Sequence, residues 1–260
     1  MSEDLLTRAG LVSRFSSRPF FGMVHLRALP GAPLFTSMSD VLELALHDVR
    51  ALAAGGCDGF VIENFGDRPF TRGRVEAETV AAMTSVIAEL RREVRLPFGV
   101  NVLRNDALSA IAIAAATGAA FIRVNIHTGA AVTDQGIIEG DAYATLRKRA
   151  ALAPEVLIFA DHLVKHAIPM GEMSAKDLRL RGLADAIIVT GTETGAAADP
   201  SRLRELREVV DAPLLVGSGL TADNAAQFAD ADGAIVGTSI KTDGRVDAAK
   251  VDAVVRAFKR

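Results

Sequence analysis

Polar side chains break into otherwise apolar runs of this chain at regular places. In FIRVNIH, residues 121–127, Ile122, Val124 and Ile126 alternate with Arg123, Asn125 and His127. Successive side chains of a strand point to opposite faces, so the apolar set and the polar set are separated. The same alternation sets Glu63 against Phe60 and Ile62 in GFVIEN, and Asn101 against Val100 and Val102 in FGVNVL. It sets His25 against Val24 and Leu26 in MVHL. Asp161 closes VLIFAD on the same parity as Leu157 and Phe159, which leaves its direction open. The segment DHLVKH then brings a carboxylate, an ammonium and an imidazole together at Asp161, Lys165 and His166. Carboxylates and imidazoles move protons, while ammonium, guanidinium and amide groups stabilise developing negative charge. The competing reading is a buried hydrogen-bonded network. Burying several charges is costly unless each is paired, and structure alone does not call for so many.

A second kind of chemistry sits near the C-terminus. Two strand-like runs end in Gly217-Ser218-Gly219 and Gly237-Thr238. Glycine lets backbone N–H groups approach an anion closely, and paired loops of this kind commonly bind phosphate in barrel enzymes. Lys241 would add charge from the rim. The alternative is two tight turns that need glycine for geometry. No Walker loop or dinucleotide fingerprint is present. His25, Glu63, Asp161 and His162 are of metal-ligand type, so a divalent metal is one reading of the set, although they form no dense ligand motif. Cys57 is the only cysteine and reads as a small buried hydrophobe.

These residues need a frame that brings strand ends together. The chain repeats a short apolar run, a loop and an amphipathic segment eight times, the runs starting near residues 20, 59, 98, 121, 156, 186, 213 and 233. Alternation of this kind predicts a parallel sheet covered by helices, and eight units in 260 residues fit a closed (β/α)8 TIM barrel in one domain. Asp40, Ser174, Ser201 and Thr221 are expected N-caps, and Gly55, Gly118 and Gly182 expected helix stops. Residues 1–18 are expected to lie across the bottom of the barrel or at an interface. The loops LRALPGAPLF, NFGDRPF and GTETG are expected to be ordered near the mouth.

Half of the residues are hydrophobic, the net charge is -3, and opposite charges are interspersed. Nucleic acid is therefore not an expected partner. No basic-then-apolar leader is present, and the most apolar stretch, residues 107–122, is too short to span a bilayer. The cytoplasm is the expected compartment, peripheral membrane contact stays open, and a homo-oligomer is expected.

In GMVHLRALPGAP, ENFGDRPF, FGVNVLRND, IRVNIHTGA, ADHLVKH, IVTGTETG, LLVGSGLTADN and IVGTSIKTDG the chain resembles the BtpA/SgcQ family, in order from about residue 21 to 244. Asp161, Lys165 and His166 match that family's Asp-x-x-x-Lys-His core. The resemblance implies a phosphate-binding TIM barrel similar in outline to phosphoribosylanthranilate isomerase and the tryptophan synthase alpha chain. It brings no settled reaction: one cyanobacterial branch is linked to photosystem I biogenesis, another to sugar utilisation. Two readings follow. The first is an enzyme acting on a small phosphorylated metabolite, a sugar or nucleoside phosphate, by isomerisation, lyase chemistry or glycosidic cleavage. In it Asp161 or Glu63 is acid or base with His25 as partner, Lys165 and Arg123 stabilise charge, and Asn101 and Asn125 orient hydroxyls. The second is an assembly factor that uses the barrel as a scaffold.

Overall fold

The computed structural model describes residues 5–164, 166–191 and 198–260. Eight parallel strands close into a barrel: β1 (Phe20–His25), β2 (Gly59–Glu63), β3 (Phe98–Asn101), β4 (Phe121–Val124), β5 (Leu157–His162), β6 (Ala186–Val189), β7 (Leu214–Val216) and β8 (Gly233–Val236). Each pairs with its sequence neighbours, and β8 returns to β1. The helices α1 (Arg8–Arg14), α2 (Met38–Ala54), α3 (Ala77–Glu93), α4 (Ala107–Thr117), α5 (Ala142–Leu152), α6 (Ala175–Leu180), α7 (Pro200–Val209) and α8 (Ala248–Lys259) account for the amphipathic segments.

Strand parity splits the apolar residues into two cores. Val24, Ile62, Val100, Ile122 and Ile158 face the helices, in a shell with Val49, Leu52, Met83 and Ile111. Phe21, Val61, Phe121, Leu157, Phe159, Ile188 and Ile235 fill the barrel's interior. Leu157 and Phe159 therefore point inward themselves, and so does Asp161, two residues further on. The ambiguity over Asp161 came from taking apolar residues as helix-facing, whereas the lower barrel interior is equally apolar.

The N-terminal segment closes the bottom. Phe15 packs edge-on against Phe21, Phe121 and Phe159 at centroid distances of 5.1, 6.0 and 6.3 Å. Leu6 is tied by its backbone: its N–H donates to Asp185 Oδ1 at 3.4 Å and its carbonyl accepts from Arg179 at 2.9 Å.

Several local expectations shift. Ser37, not Asp40, caps α2, accepting from the Asp40 N–H at 3.1 Å. Asp199 caps α7 ahead of Pro200, displacing Ser201, while Ser174 caps α6 as expected. Gly55 and Gly118 follow α2 and α4, but α6 ends at Leu180 with Arg181 as its cap. The segment after β7 forms only a 3-10 turn, Ala225–Phe228. There Asn224 accepts from the Thr221 N–H and donates to the Gly219 carbonyl, local bonds that compete with a helix. Two small sheets lie outside the strand–helix repeat. Ala130–Thr133, Gly136–Glu139 and Ala167–Pro169 form an antiparallel sheet, and Lys241–Thr242 pairs with Arg245–Val246. The Asp243-Gly244 turn of the latter has positive φ at both residues, the geometry that favours Asp-Gly in tight hairpins. No helix among the described residues is long and apolar enough to cross a membrane.

Phe15→Ala should cost about 2 kcal/mol, because it removes a half-buried ring from the aromatic plug. Urea unfolding measures it; an unchanged midpoint would mean that the segment is not part of the barrel's core.

Candidate active site at the mouth of the barrel

Register gathers the inward polar residues at one level. His25 pairs with Glu63 across β1 and β2, and Glu63 with Asn101 across β2 and β3. Arg123, Asn125 and Asp161 continue this ring on and after β4 and on β5. Arg123 donates from Nε and Nη2 to the two oxygens of Asp161, at 3.2 and 3.1 Å. Asn125 Nδ2 donates to Asp161 Oδ2 at 2.8 Å. Asn101 Nδ2 donates to the Arg123 carbonyl at 3.0 Å and to Asn125 Oδ1 at 3.2 Å. Burial alone would lower the Arg123 guanidinium's pKa, but Asp161 and then Glu63 outweigh it and hold it above its ordinary value.

Above this layer lies a cavity of about 570 Å³, lined by His25, Glu63, Arg123 and Asn125 and by both glycine-rich loops. Asp161 and Asn101 are not in its lining. The Asp161 side chain is wholly buried, and both of its oxygens are engaged. The Asp161 carboxylate thus contacts Arg123 and Asn125 and not the cavity, and Asn101 bonds its neighbours below it. His25 and Glu63 do reach the cavity, 3.8 Å apart, with the His25 ring stacked on Phe65 at 4.5 Å. His166 lines the wall from an exposed position with φ 59°. Lys165 lies outside the described residues, as do residues 192–195 of the GTETG loop.

The loops after β7 and β8 form the opposite side. Gly217, Ser218 and Gly219 line the cavity together with Gly237 and Thr238. A Cβ on Gly217 would lie 2.3 Å from Ile188, and Gly219 has φ 67°, so both positions call for glycine. Ser218 Oγ accepts from the Gly191 N–H at 2.7 Å, and Ser239 Oγ donates to the Leu220 carbonyl, joining the two loops. Lys241 is half-buried at the head of its hairpin and does not line the cavity, which corrects its expected place on the rim. Burial lowers its pKa, against the pull of Asp48 and Glu63.

Other candidates lie elsewhere. The strand that carries Arg123 ends at Val124, so parity no longer governs His127, whose Nε2 bonds the Gly182 carbonyl at 2.7 Å. His162 Nε2 bonds the Met173 carbonyl at 2.9 Å. Burial lowers the pKa of both imidazoles. Among the described residues no three His, Cys, Asp or Glu side chains gather as a metal site. Burial, followed by Asp58, pushes the Cys57 thiol up to about 12, which suits a packing role.

Parity gave no access to the loop residues in the lining: Phe65, Arg68, Phe70, Arg104 and Asp134. The loops after β1, β2 and β3 are ordered by mutual bonds. Asp67 accepts from the Leu29 N–H at 2.7 Å and from Asn64 at 3.0 Å, and Asn64 Oδ1 accepts from the Leu103 N–H at 2.7 Å.

Asp161→Asn should cost about 3–5 kcal/mol, since it leaves a buried guanidinium without its counter-charge. The double variant Arg123→Met, Asp161→Leu should recover most of that loss in urea unfolding. A neutral single variant would show that the pair does not hold the floor.

The family model described as the BtpA family matches residues 16–260. Photosystem I biogenesis protein BtpA of Synechocystis sp. is 44% identical over 250 residues, covering 92% of this chain and 86% of that protein. An uncharacterized protein of Thermococcus kodakarensis is 48% identical over 239 residues, 90% of each chain. Solved structures share the fold at much lower identity. Thiamine phosphate pyrophosphorylase from Pyrococcus furiosus superposes with a TM-score of 0.60 at 13% identity, over 93% of this chain and 95% of that one. N-(5'-phosphoribosyl)anthranilate isomerase from Pyrococcus furiosus gives 0.56 at 14%, over 93% and 99%. With a family match spanning the whole barrel, the chain belongs to the BtpA family.

Proposed function

We propose that this protein is an enzyme acting on a small phosphorylated metabolite, a sugar phosphate or nucleoside phosphate, in the mouth of the barrel. One observation carries the reading: the glycine-rich loops after β7 and β8 line the same cavity as the His25–Glu63 pair and Arg123. Backbone N–H groups of Gly217, Ser218, Gly219, Gly237 and Thr238 would grip the phosphate. Glu63 would exchange a proton with the reacting carbon or its hydroxyl, with His25 as its partner. Arg123, oriented by Asp161, would stabilise negative charge as it develops, and Asn125 would fix a hydroxyl. His166 would complete the wall after β5. Isomerisation, carbon–carbon lyase chemistry and glycosidic cleavage all fit this set. The two solved barrels compared above carry phosphate-containing compounds in their names, in keeping with a phosphate ligand.

The name of the cyanobacterial relative supports a second reading, a factor assisting assembly of a membrane complex. A scaffold would have no use for a charged floor beneath an open cavity, so the enzyme reading accounts for more of the molecule.

A thermal-shift series with inorganic phosphate, sugar phosphates and nucleoside monophosphates tests the proposal. A ligand at about 100 times its Kd should stabilise the fold by about 2.7 kcal/mol. Ser218→Asp should abolish the shift, and so should Thr238→Asp, which at its exposed position should not lower the unliganded Tm by more than a few degrees. No shift with any phosphate compound would move the reading to the scaffold.

A further inference from the structure

The mouth cavity has an apolar side to which a simple sugar phosphate gives no task. Met23, Phe65, Phe70, Leu103 and Val236 line it beside the polar residues described above. A sugar would present hydroxyl groups to these side chains, and burying hydroxyls against carbon without hydrogen bonds is costly. A ligand with a planar, weakly polar part would gain from the same contact.

The loop after β2 supplies planar groups in layers. Phe65 stacks on His25 at 4.5 Å, with 20° between the ring planes. The Arg68 guanidinium lies over the Phe65 ring at 5.5 Å. Phe65 is thus engaged, whereas Phe70 has no ring or guanidinium stacked on it among the described residues. Phe70 is half-buried and lines both the mouth cavity and a neighbouring pocket of about 340 Å³. Its segment is tied down next to it, where the Thr71 carbonyl accepts from the Arg104 N–H at 3.3 Å. The phosphate loops lie close to this stack. A Cβ on Gly237 would lie 3.4 Å from His25 Cε1, and β1 stands between β8 and β2 in the closed strand order. The wall therefore runs from the loop after β8, past His25, to Phe65 and Phe70.

We infer that the loop after β2 forms a base-stacking wall with Phe70 as its free ring, so that the ligand is a nucleoside monophosphate. The phosphate sits at the β7 and β8 loops, the ribose passes His25 and Glu63, and the base lies against Phe70. A nucleoside 5'-monophosphate carries its phosphate, ribose and base in that order. Stacking tolerates every base, since each has a π-face, so the wall selects nucleotides without choosing among them. The inference rests on the proposed phosphate grip and narrows its substrate class.

Isothermal titration tests it by comparing ribose 5-phosphate with AMP, GMP, CMP and UMP. At least one nucleotide should bind about tenfold tighter than ribose 5-phosphate, or more, as stacking of one base on one ring allows. Phe70→Leu keeps the apolar bulk and removes the π-face. It should cancel most of that gain and leave the affinity for ribose 5-phosphate within about twofold. Phe70→Tyr retains the ring and should retain the gain. The wild-type ratio decides the matter even where Phe70→Leu lowers stability. Nucleotides that bind no tighter than ribose 5-phosphate, or a gain that Phe70→Leu leaves intact, would overturn the stacking wall alone. No binding by any of these compounds, or binding that Ser218→Asp and Thr238→Asp leave unchanged, would overturn the phosphate grip and the nucleotide ligand with it.

Discussion

The ion pair between Arg123 and Asp161 sets the level at which this barrel changes from core to cavity. Both side chains are buried, and Asp161 is held by Arg123 and Asn125 at 2.8–3.2 Å. Two charges withdrawn from water gain little net stability from their mutual attraction, so stability alone does not explain them. Their position does: below lie the phenylalanines of the interior, and above lie His25, Glu63 and the glycine-rich loops. The pair fixes a guanidinium where it can face a ligand while its counter-charge stays out of the ligand's reach. Asn101 and Asn125 complete the layer, satisfying one another and the Arg123 carbonyl.

The two ends of the barrel answer different demands with one strand parity. At the bottom, inward positions are Phe21, Val61, Phe121 and Leu157, with Phe15 from the N-terminal segment against them. At the top the same parity delivers His25, Glu63, Arg123 and Asp161. The rigid lower layer gives the upper one a fixed foundation, and the loops after β1, β2 and β3 are bonded to each other by Asn64 and Asp67. The walls of the cavity on this side are thus held by bonds within the protein.

The sequence made the strand ends legible because period two and period 3.6 leave different marks, and eight repeats of one unit left few architectures to choose from. Glu63, Arg123 and Asn125 could be placed from alternation alone. Asp161 was harder, since the barrel's own interior is apolar and an apolar neighbour does not tell inside from outside. His127 shows the opposite limit: its parity was right for an inward residue, but the strand had already ended. Arg104, Arg68 and Phe65 carry no periodic signal, for loop direction depends on bonds between distant segments such as Asn64 to Leu103. The Asp243-Gly244 hairpin carries a two-residue turn signal inside a strand–helix rhythm that does not call for it. Asp199 outranks Ser201 as a cap because Pro200 suits the first helical position, a local rule that the chain displays openly.

The central claim is that anions bind at the mouth on the β7 and β8 side. A crystal structure of the protein soaked with tungstate, a phosphate analogue with strong anomalous scattering, tests it directly. The account predicts an anomalous peak within hydrogen-bond distance of backbone N–H groups of Gly217–Gly219 and of Gly237 or Thr238, above the Arg123–Asp161 floor. A well-ordered crystal with no peak there, or with peaks only on the outer surface, would contradict it.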